Sequence, residues 1–180
     1  MALAKVFDRV IATDASEKQI GSAEACARVE YRVAPAETSG LETNSVDLIT
    51  VAQALHWFDL ERFYAETRRV SKPGGVLAAW AYQLATVSPE IDAVVNHYYS
   101  DVVGPFWPEE RALVEKFEEL AFPYPEIKAP PFEMVAEWNA AHLIGYLRTW
   151  SATQGFMAAN QRDPLEEIEG ELRTVWGNEV

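Results

Sequence analysis

The chain has 180 residues, 49% hydrophobic and 24% charged, the composition of a folded domain and not of a disordered segment. Its net charge of −13 would repel DNA or RNA over most of the surface, and no Lys/Arg run overrides this locally, so no nucleic acid is an expected partner. Apolar runs such as Val76 to Tyr82 are too short to span a bilayer. Met1-Ala2-Leu3-Ala4-Lys5 leads into no secretory signal, and the single cysteine, Cys26, allows no intrachain disulfide. The expected setting is reducing and cytoplasmic, with no membrane partner.

In chain order, Arg9 to Asp14 reads as a short strand ending on an acid. Ser16 is placed to cap a helix running to about Arg28, which would make Cys26 a small buried residue. Val29 to Val33 alternates and is rich in β-formers, so a second strand is expected, stopped by Pro35. Ser45 to Ala52 reads as a third strand, apolar enough for burial on both faces. Asp59 is a candidate cap for a helix with Leu60, Phe63, Tyr64 and Val70 on one stripe. Arg68, Arg69 and Lys72 fall at that helix's end, where cations are favourable. Lys72-Pro73-Gly74-Gly75 ends it, and Val76 to Trp80 is a fourth strand. Strands separated by helices imply parallel pairing with right-handed crossovers.

The second half is mostly helical. Pro108 and Glu109 start a predicted helix with Leu113, Val114, Phe117, Leu120 and Ala121 on one face. Pro123, Pro125, Pro130 and Pro131 make a stiff connection. Phe132 to Val135 alternates like a strand. Asn139 is a candidate cap for a helix with Leu143, Leu147 and Trp150 on one side. Asp163-Pro164 starts a last helix through Leu165, Ile168, Leu172 and Trp176. The predicted division is 1–82 and 83–180, as parts of one overall domain.

Four pieces of this order resemble class I S-adenosylmethionine-dependent methyltransferases, in the small-molecule branch that includes trans-aconitate methyltransferase. They are Val10 to Ser16, Tyr31 to Glu37, Val46 to Phe58 and Arg68 to Gly75. Gly145 to Ala152 is similar to a helix-start pattern of the same branch. The resemblance implies an α/β, Rossmann-like sheet of family order 3-2-1-4-5-7-6, with 1–82 as the cofactor-binding part and 83–180 as a helical substrate cap. It also implies a first strand and a glycine-rich loop before Phe7 and a seventh strand after Val180. No Gly-x-Gly occurs in the chain, so the sheet is expected to be incomplete. The second and fourth family strands would then lie about 9 to 10 Å apart, twice the usual spacing, and self-association through exposed strand edges becomes possible.

The resemblance implies S-adenosyl-L-methionine as cofactor and a small-molecule acceptor. Asp14, with Ala15 beside it, is the candidate for the ribose; the same acid would serve NAD, or simply cap a helix. Ala36 and Glu37 are candidates for adenine contact through their backbone, where many relatives carry an Asp at the position of Pro35; an ordinary loop reads equally. Gln53, Ala54, His56 and Trp57 follow the third predicted strand, at the edge that faces the ligand crevice in open α/β sheets. Alignment of reactants carries most of a methyl transfer. Trp57 and Phe58 would present aromatic faces to a cationic sulfur or pack in the core. His56 would act as a base, position the acceptor, or be structural. If the acceptor is a carboxylate it is already ionised and needs no base. Arg148 would then orient a second carboxylate, with Tyr146 and Trp150 as pocket walls, or lie on a solvated helix face. His56, His97, His142 and Cys26 lack metal-ligand spacing, so no metal is expected. Loss of the glycine-rich loop leaves a rival reading: a scaffold of the same fold that no longer binds cofactor.

Overall fold

The structure is a computed structural model that describes residues 2–177. Its contacts divide the chain into two compact units, 1–82 and 83–180. The first unit is built on four strands in two parallel pairs: β1 (Val10–Asp14), β2 (Val29–Val33), β3 (Val46–Ala52) and β4 (Ser71–Trp80). β1 pairs with β2, from Val10 beside Val29 to Asp14 beside Val33. β3 pairs with β4, from Leu48 beside Val76 to Ala52 beside Trp80. Among the described residues these are two separate two-stranded sheets, with no ladder between β1 and β3.

That separation explains a difference from the sequence reading. β3 was expected to be buried on both faces, yet only Val51 is buried and Asp47, Thr50 and Ala52 are exposed. A strand is buried on both sides only when neighbours and covering helices supply the contacts.

Helix α1 (Glu17–Gly21) starts where predicted, with the Ser16 side chain accepting from Gln19 N at 3.3 Å. It ends at Gly21, far short of Arg28. Ala23 and Ala25 are exposed, so nothing pays a continued helix in packing. Cys26 therefore lies in a non-helical segment and is half-buried, not a buried helical residue.

Helix α2 (Leu60–Val70) is capped by Asp59, which accepts from Arg62 N at 3.2 Å. Its buried face includes Phe63, Tyr64 and Val70, as the stripe predicted, but also Glu66 and Thr67. Glu66 is buried because it ties the 34–45 connection to the helix. It accepts from Ser39 N (2.9 Å) and Ser39 Oγ (2.6 Å) and takes two bonds of 2.7 Å from Arg69. The Arg69 bonds hold its carboxyl down at about 2, against the opposing effect of burial and with help from Ser39.

The Lys72-Pro73-Gly74-Gly75 turn is absorbed into the start of β4. Ser71 pairs with Val46 and Val76 with Leu48, so these residues bulge out of the ladder. Gly74 takes φ +82°, and a Cβ on Gly75 would sit 3.0 Å from Lys72 O and 3.2 Å from Val46 O.

The second unit is helical around one core. Its helices are α3 (Pro89–His97), α4 (Arg111–Glu115), α5 (Ala140–Arg148), α6 (Ser151–Asn160) and α7 (Glu169–Trp176). Tyr98, Leu147, Ala152, Leu165 and Leu172 are fully buried in its core. Tyr98 hydrogen-bonds Thr153 Oγ1 at 2.8 Å, and Thr153 donates to Leu147 O at 2.8 Å, so the buried polar atoms are satisfied. Asn139 caps α5 as predicted, in a reciprocal box with His142. The helix predicted to run through Trp150 is α5, which ends at Arg148; Trp150 instead precedes α6, which begins at Ser151. The last helix is split, a 3-10 turn over Pro164–Glu167 preceding α7.

Two predictions for this unit are corrected. The long helix from Pro108 is only α4 and a 3-10 turn over Phe117–Glu119. The strand at 132–135 does not form, and Phe132, Met134 and Val135 are all more than three-quarters exposed. Alternation alone does not make a strand; a hydrogen-bonded partner does, and no described strand pairs with it. Among the described residues no helix is long and apolar enough to cross a membrane.

Candidate functional site

The parallel pairing sets which ends of the strands can carry a site. Asp14 ends β1 beside Val33 of β2, and Ala52 ends β3 beside Trp80 of β4. The residues singled out in the first unit all follow these C-terminal ends.

Asp14 and Ala15 are exposed. Asp14 Oδ1 accepts from Ser16 N at 2.7 Å, while its main-chain oxygen accepts from Ala34 N at 3.0 Å. The carboxylate thus orders the turn into α1 with one oxygen. Its other oxygen takes no hydrogen bond from the described residues, so turn-making and diol binding are compatible in the same side chain.

Ala36 and Glu37 form a turn after β2, closed by Thr38 N donating to Pro35 O at 3.2 Å. Glu37 does more than its backbone role predicted. Its Oε1 accepts from Asp59 N at 2.9 Å, just before α2. This bond sets the loop after β2 against the segment that follows β3. The 22-residue separation of the two residues left no local signal of it in the sequence.

Gln53 carries φ +51°, a left-handed conformation that costs a non-glycine residue free energy. Its neighbours hold it there. Gln53 N donates to Trp80 O at 2.9 Å, its Oε1 accepts from Tyr82 N at 2.8 Å, and its Nε2 donates to Tyr82 O at 3.2 Å. The side-chain amide pairs with the Tyr82 backbone as a strand would, tying the ends of β3 and β4 together. The side-chain amide of Gln53, a residue expected at the cofactor edge, is thus engaged with the backbone of Tyr82.

Ala54 is half-buried and precedes a 3-10 turn over Leu55–Trp57. Leu55 anchors the turn at 2% exposure. His56 is half-buried with its ring 4.7 Å from that of Trp57. Trp57 is 52% exposed, which removes the core-packing reading for it. Phe58 is the ring that packs inward, 4.9 Å from Phe63.

Arg148 belongs to the second unit, at the end of α5. Its Nε and a terminal nitrogen both reach Asp163 Oδ2, at 3.1 and 2.8 Å. The guanidinium predicted to clamp a substrate carboxylate is thus already paired with one of the chain's own, and neither of the two sequence readings anticipated that partner. Tyr146 and Trp150 do lie together, rings 5.9 Å apart. Among the described residues no group of three His, Cys, Asp or Glu is arranged to hold a metal ion.

Comparison with known proteins agrees with this architecture. Residues 1–79 match the family model Methyltransf_11, a methyltransferase domain. A Dictyostelium discoideum protein named "Putative methyltransferase" is 36% identical over 174 residues, covering 94% of this chain and 66% of that protein. A Saccharomyces cerevisiae protein named "Probable S-adenosylmethionine-dependent methyltransferase CRG1" is 29% identical over 104 residues, 52% of this chain and 34% of that protein. The chain therefore spans less than two thirds of the length of these curated relatives. A solved structure, of a "Putative Type II Methyltransferase" from Anaeromyxobacter dehalogenans, superposes with a TM-score of 0.86 at 47% identity, over 98% of this chain and 75% of that one. With parallel strands, intervening helices and that coverage, the chain belongs to the Rossmann-like methyltransferase family, a family of enzymes.

Proposed function

We propose that the chain works as an S-adenosyl-L-methionine-dependent methyltransferase on a small-molecule acceptor, such as a carboxylic acid, with 1–82 as the cofactor-binding part and 83–180 as the substrate cap. The observation that carries this reading is the Glu37 to Asp59 bond of 2.9 Å, which sets the loop after β2 against the segment after β3. Asp14 offers a solvent-facing carboxylate oxygen to a ribose diol. Ala36 leaves room for a flat ring beside the 35–38 turn. Gln53, held by Tyr82, keeps the β3 edge and Ala54 in place. His56 and Trp57 stand after that edge to position an acceptor. The cofactor, when bound, supplies a methyl group on a cationic sulfur, and the exposed Trp57 face favours such a charge. A carboxylate acceptor is ionised at neutral pH and asks no base of the protein. Trans-aconitate-like substrates are one class consistent with the resemblance, although the Arg148 to Asp163 pair weakens the argument for a second carboxylate.

A cytoplasmic setting, no nucleic-acid or membrane partner, and self-association through the free strand edges are part of the same proposal. One observation favours the rival, a scaffold without cofactor: among the described residues β1–β2 and β3–β4 are not joined into one sheet. Calorimetric titration with S-adenosylmethionine decides between them. Binding tighter than about 1 mM, weakened at least about tenfold by Asp14→Ala, is the expected result. No heat from a protein with intact near-UV circular dichroism would leave the scaffold reading standing.

A further inference from the structure

A cleft in the second unit makes a sharper statement about the acceptor. It has a volume of about 400 Å³ and is lined by Tyr99, Gly104, Trp107, Glu109, Arg111 and Ala112 among others. This is within the range of small-molecule sites. After α3 the chain continues as a π-helical turn over Tyr98–Val102. One extra residue in the turn lets neighbours diverge, and such turns recur at functional sites. Tyr98 is fully buried in the core, while Tyr99 is half-buried at the cleft.

Trp107 is fixed by its indole Nε1 donating to Tyr99 O at 3.2 Å, with the two rings 4.9 Å apart. Trp150 backs both, its ring 5.4 Å from Trp107 and 5.9 Å from Tyr99. Arg111 lies over this pair, 5.1 Å from the Trp107 ring and 5.8 Å from the Tyr99 ring. Its Nε points to Tyr99 Oη at 3.4 Å. Arg148, Arg162 and Arg173 of the same unit each have a carboxylate at 2.6 to 2.9 Å. Among the described residues Arg111 has none. In a chain of net charge −13 this is a cation held by rings at the wall of a cleft, with no ion pair to a carboxylate among the described residues, although Glu109 lines the same cleft.

We propose that this cleft binds a planar aromatic carboxylate, the ring against Trp107 and Tyr99 and the anion on Arg111. The inference rests on the methyltransferase reading for its meaning as an acceptor site, and moves the carboxylate-binding role from Arg148 to Arg111. Rigid rings select a flat partner, and a guanidinium whose terminal nitrogens have no carboxylate among the described residues matches a carboxylate bidentately.

The test uses the full chain and trans-cinnamate as probe, followed through the indole N–H resonances, with Trp107 assigned by its loss in Trp107→Phe. Cinnamate should shift the Trp107 resonance saturably, with Kd below about 1 mM. Cinnamamide, which lacks the charge, and cyclohexanecarboxylate, which lacks the flat ring, should each bind about tenfold more weakly. Arg111→Gln should weaken cinnamate to the level of cinnamamide and leave cinnamamide itself unchanged. A merely structural Arg111 would lose both ligands equally, which would overturn the proposal. If Arg111→Gln loses its near-UV dichroism, the three ligands on the parent protein decide: equal binding, or none, overturns it. The S-adenosylmethionine titration is scored separately. Cofactor binding without cinnamate binding would refute this site alone, while cinnamate binding without cofactor binding would sustain it and refute the methyltransferase reading.

Discussion

Replacing Glu66 with Gln isolates the charge that joins the 34–45 connection to α2. The carboxyl stands at about 2 against an ordinary 4.5, because of Arg69 first and Ser39 after it. At about 1.36 kcal/mol per pH unit, that difference corresponds to about 3 kcal/mol. Arg69 is 40% exposed, so solvent screens part of this, and a loss of about 2 kcal/mol is expected for Glu66→Gln, within the range of hydrogen bonds to charged groups. The sign follows from proton uptake. The depressed carboxyl stays ionised in the folded chain where the unfolded chain has already taken a proton. Its contribution is complete above 4.5 and is lost as the pH falls towards 2. Urea unfolding followed by circular dichroism, at about pH 7 and about pH 3, should show the gap between parent and variant shrinking to about half or less at the lower pH. A gap below about 0.5 kcal/mol at neutral pH, or one that does not change on acidification, would refute the assignment of Glu66 as a buried charged tie.

Two further outcomes follow from the packing. Tyr98 is pushed up to about 12, chiefly by burial, so the folded state keeps a phenol proton that the unfolded chain loses near 10; stability measured by thermal melts should fall between these values, and Tyr98→Phe should flatten that fall while costing about 1 kcal/mol at neutral pH through loss of the Thr153 bond. Gly75→Ala brings a Cβ within 3.0 Å of Lys72 O and 3.2 Å of Val46 O, both backbone, so a loss of about 1–3 kcal/mol is expected in denaturant titration, whereas Gly145→Ala in α5, with open space at its Cβ, should be neutral or stabilising.

What could be read from sequence was what is decided locally. Ser16, Asp59 and Asn139 cap their helices because a short polar side chain reaches backbone two or three residues on, whatever surrounds it. The strands Val10–Asp14, Val29–Val33 and Val46–Ala52 show in β-branched residues and in the turn residues that bound them. The places where a site would sit, after the ends of those strands, came with them, and so did the methyltransferase family. Tertiary structure decided everything that needed a partner from elsewhere. Phe132 to Val135 alternates without becoming a strand, since no described strand bonds to it. The helix after Ser16 stops at Gly21, since no surface covers Ala23 and Ala25. Helices α3 and α6 supply Ile91, Val94, Val95, Ala152 and Phe156 to the second core, yet neither was read, because a short apolar stripe shows as a core face only once its packing partners are in place. Side-chain roles changed in the same way. Gln53 turned to Tyr82, Arg148 to Asp163 and Glu37 to Asp59, across 29, 15 and 22 residues of chain. Local chemistry says what a side chain is able to bind; folding chooses among its possible partners, because each buried or ordered polar group takes the partner that packing brings within reach.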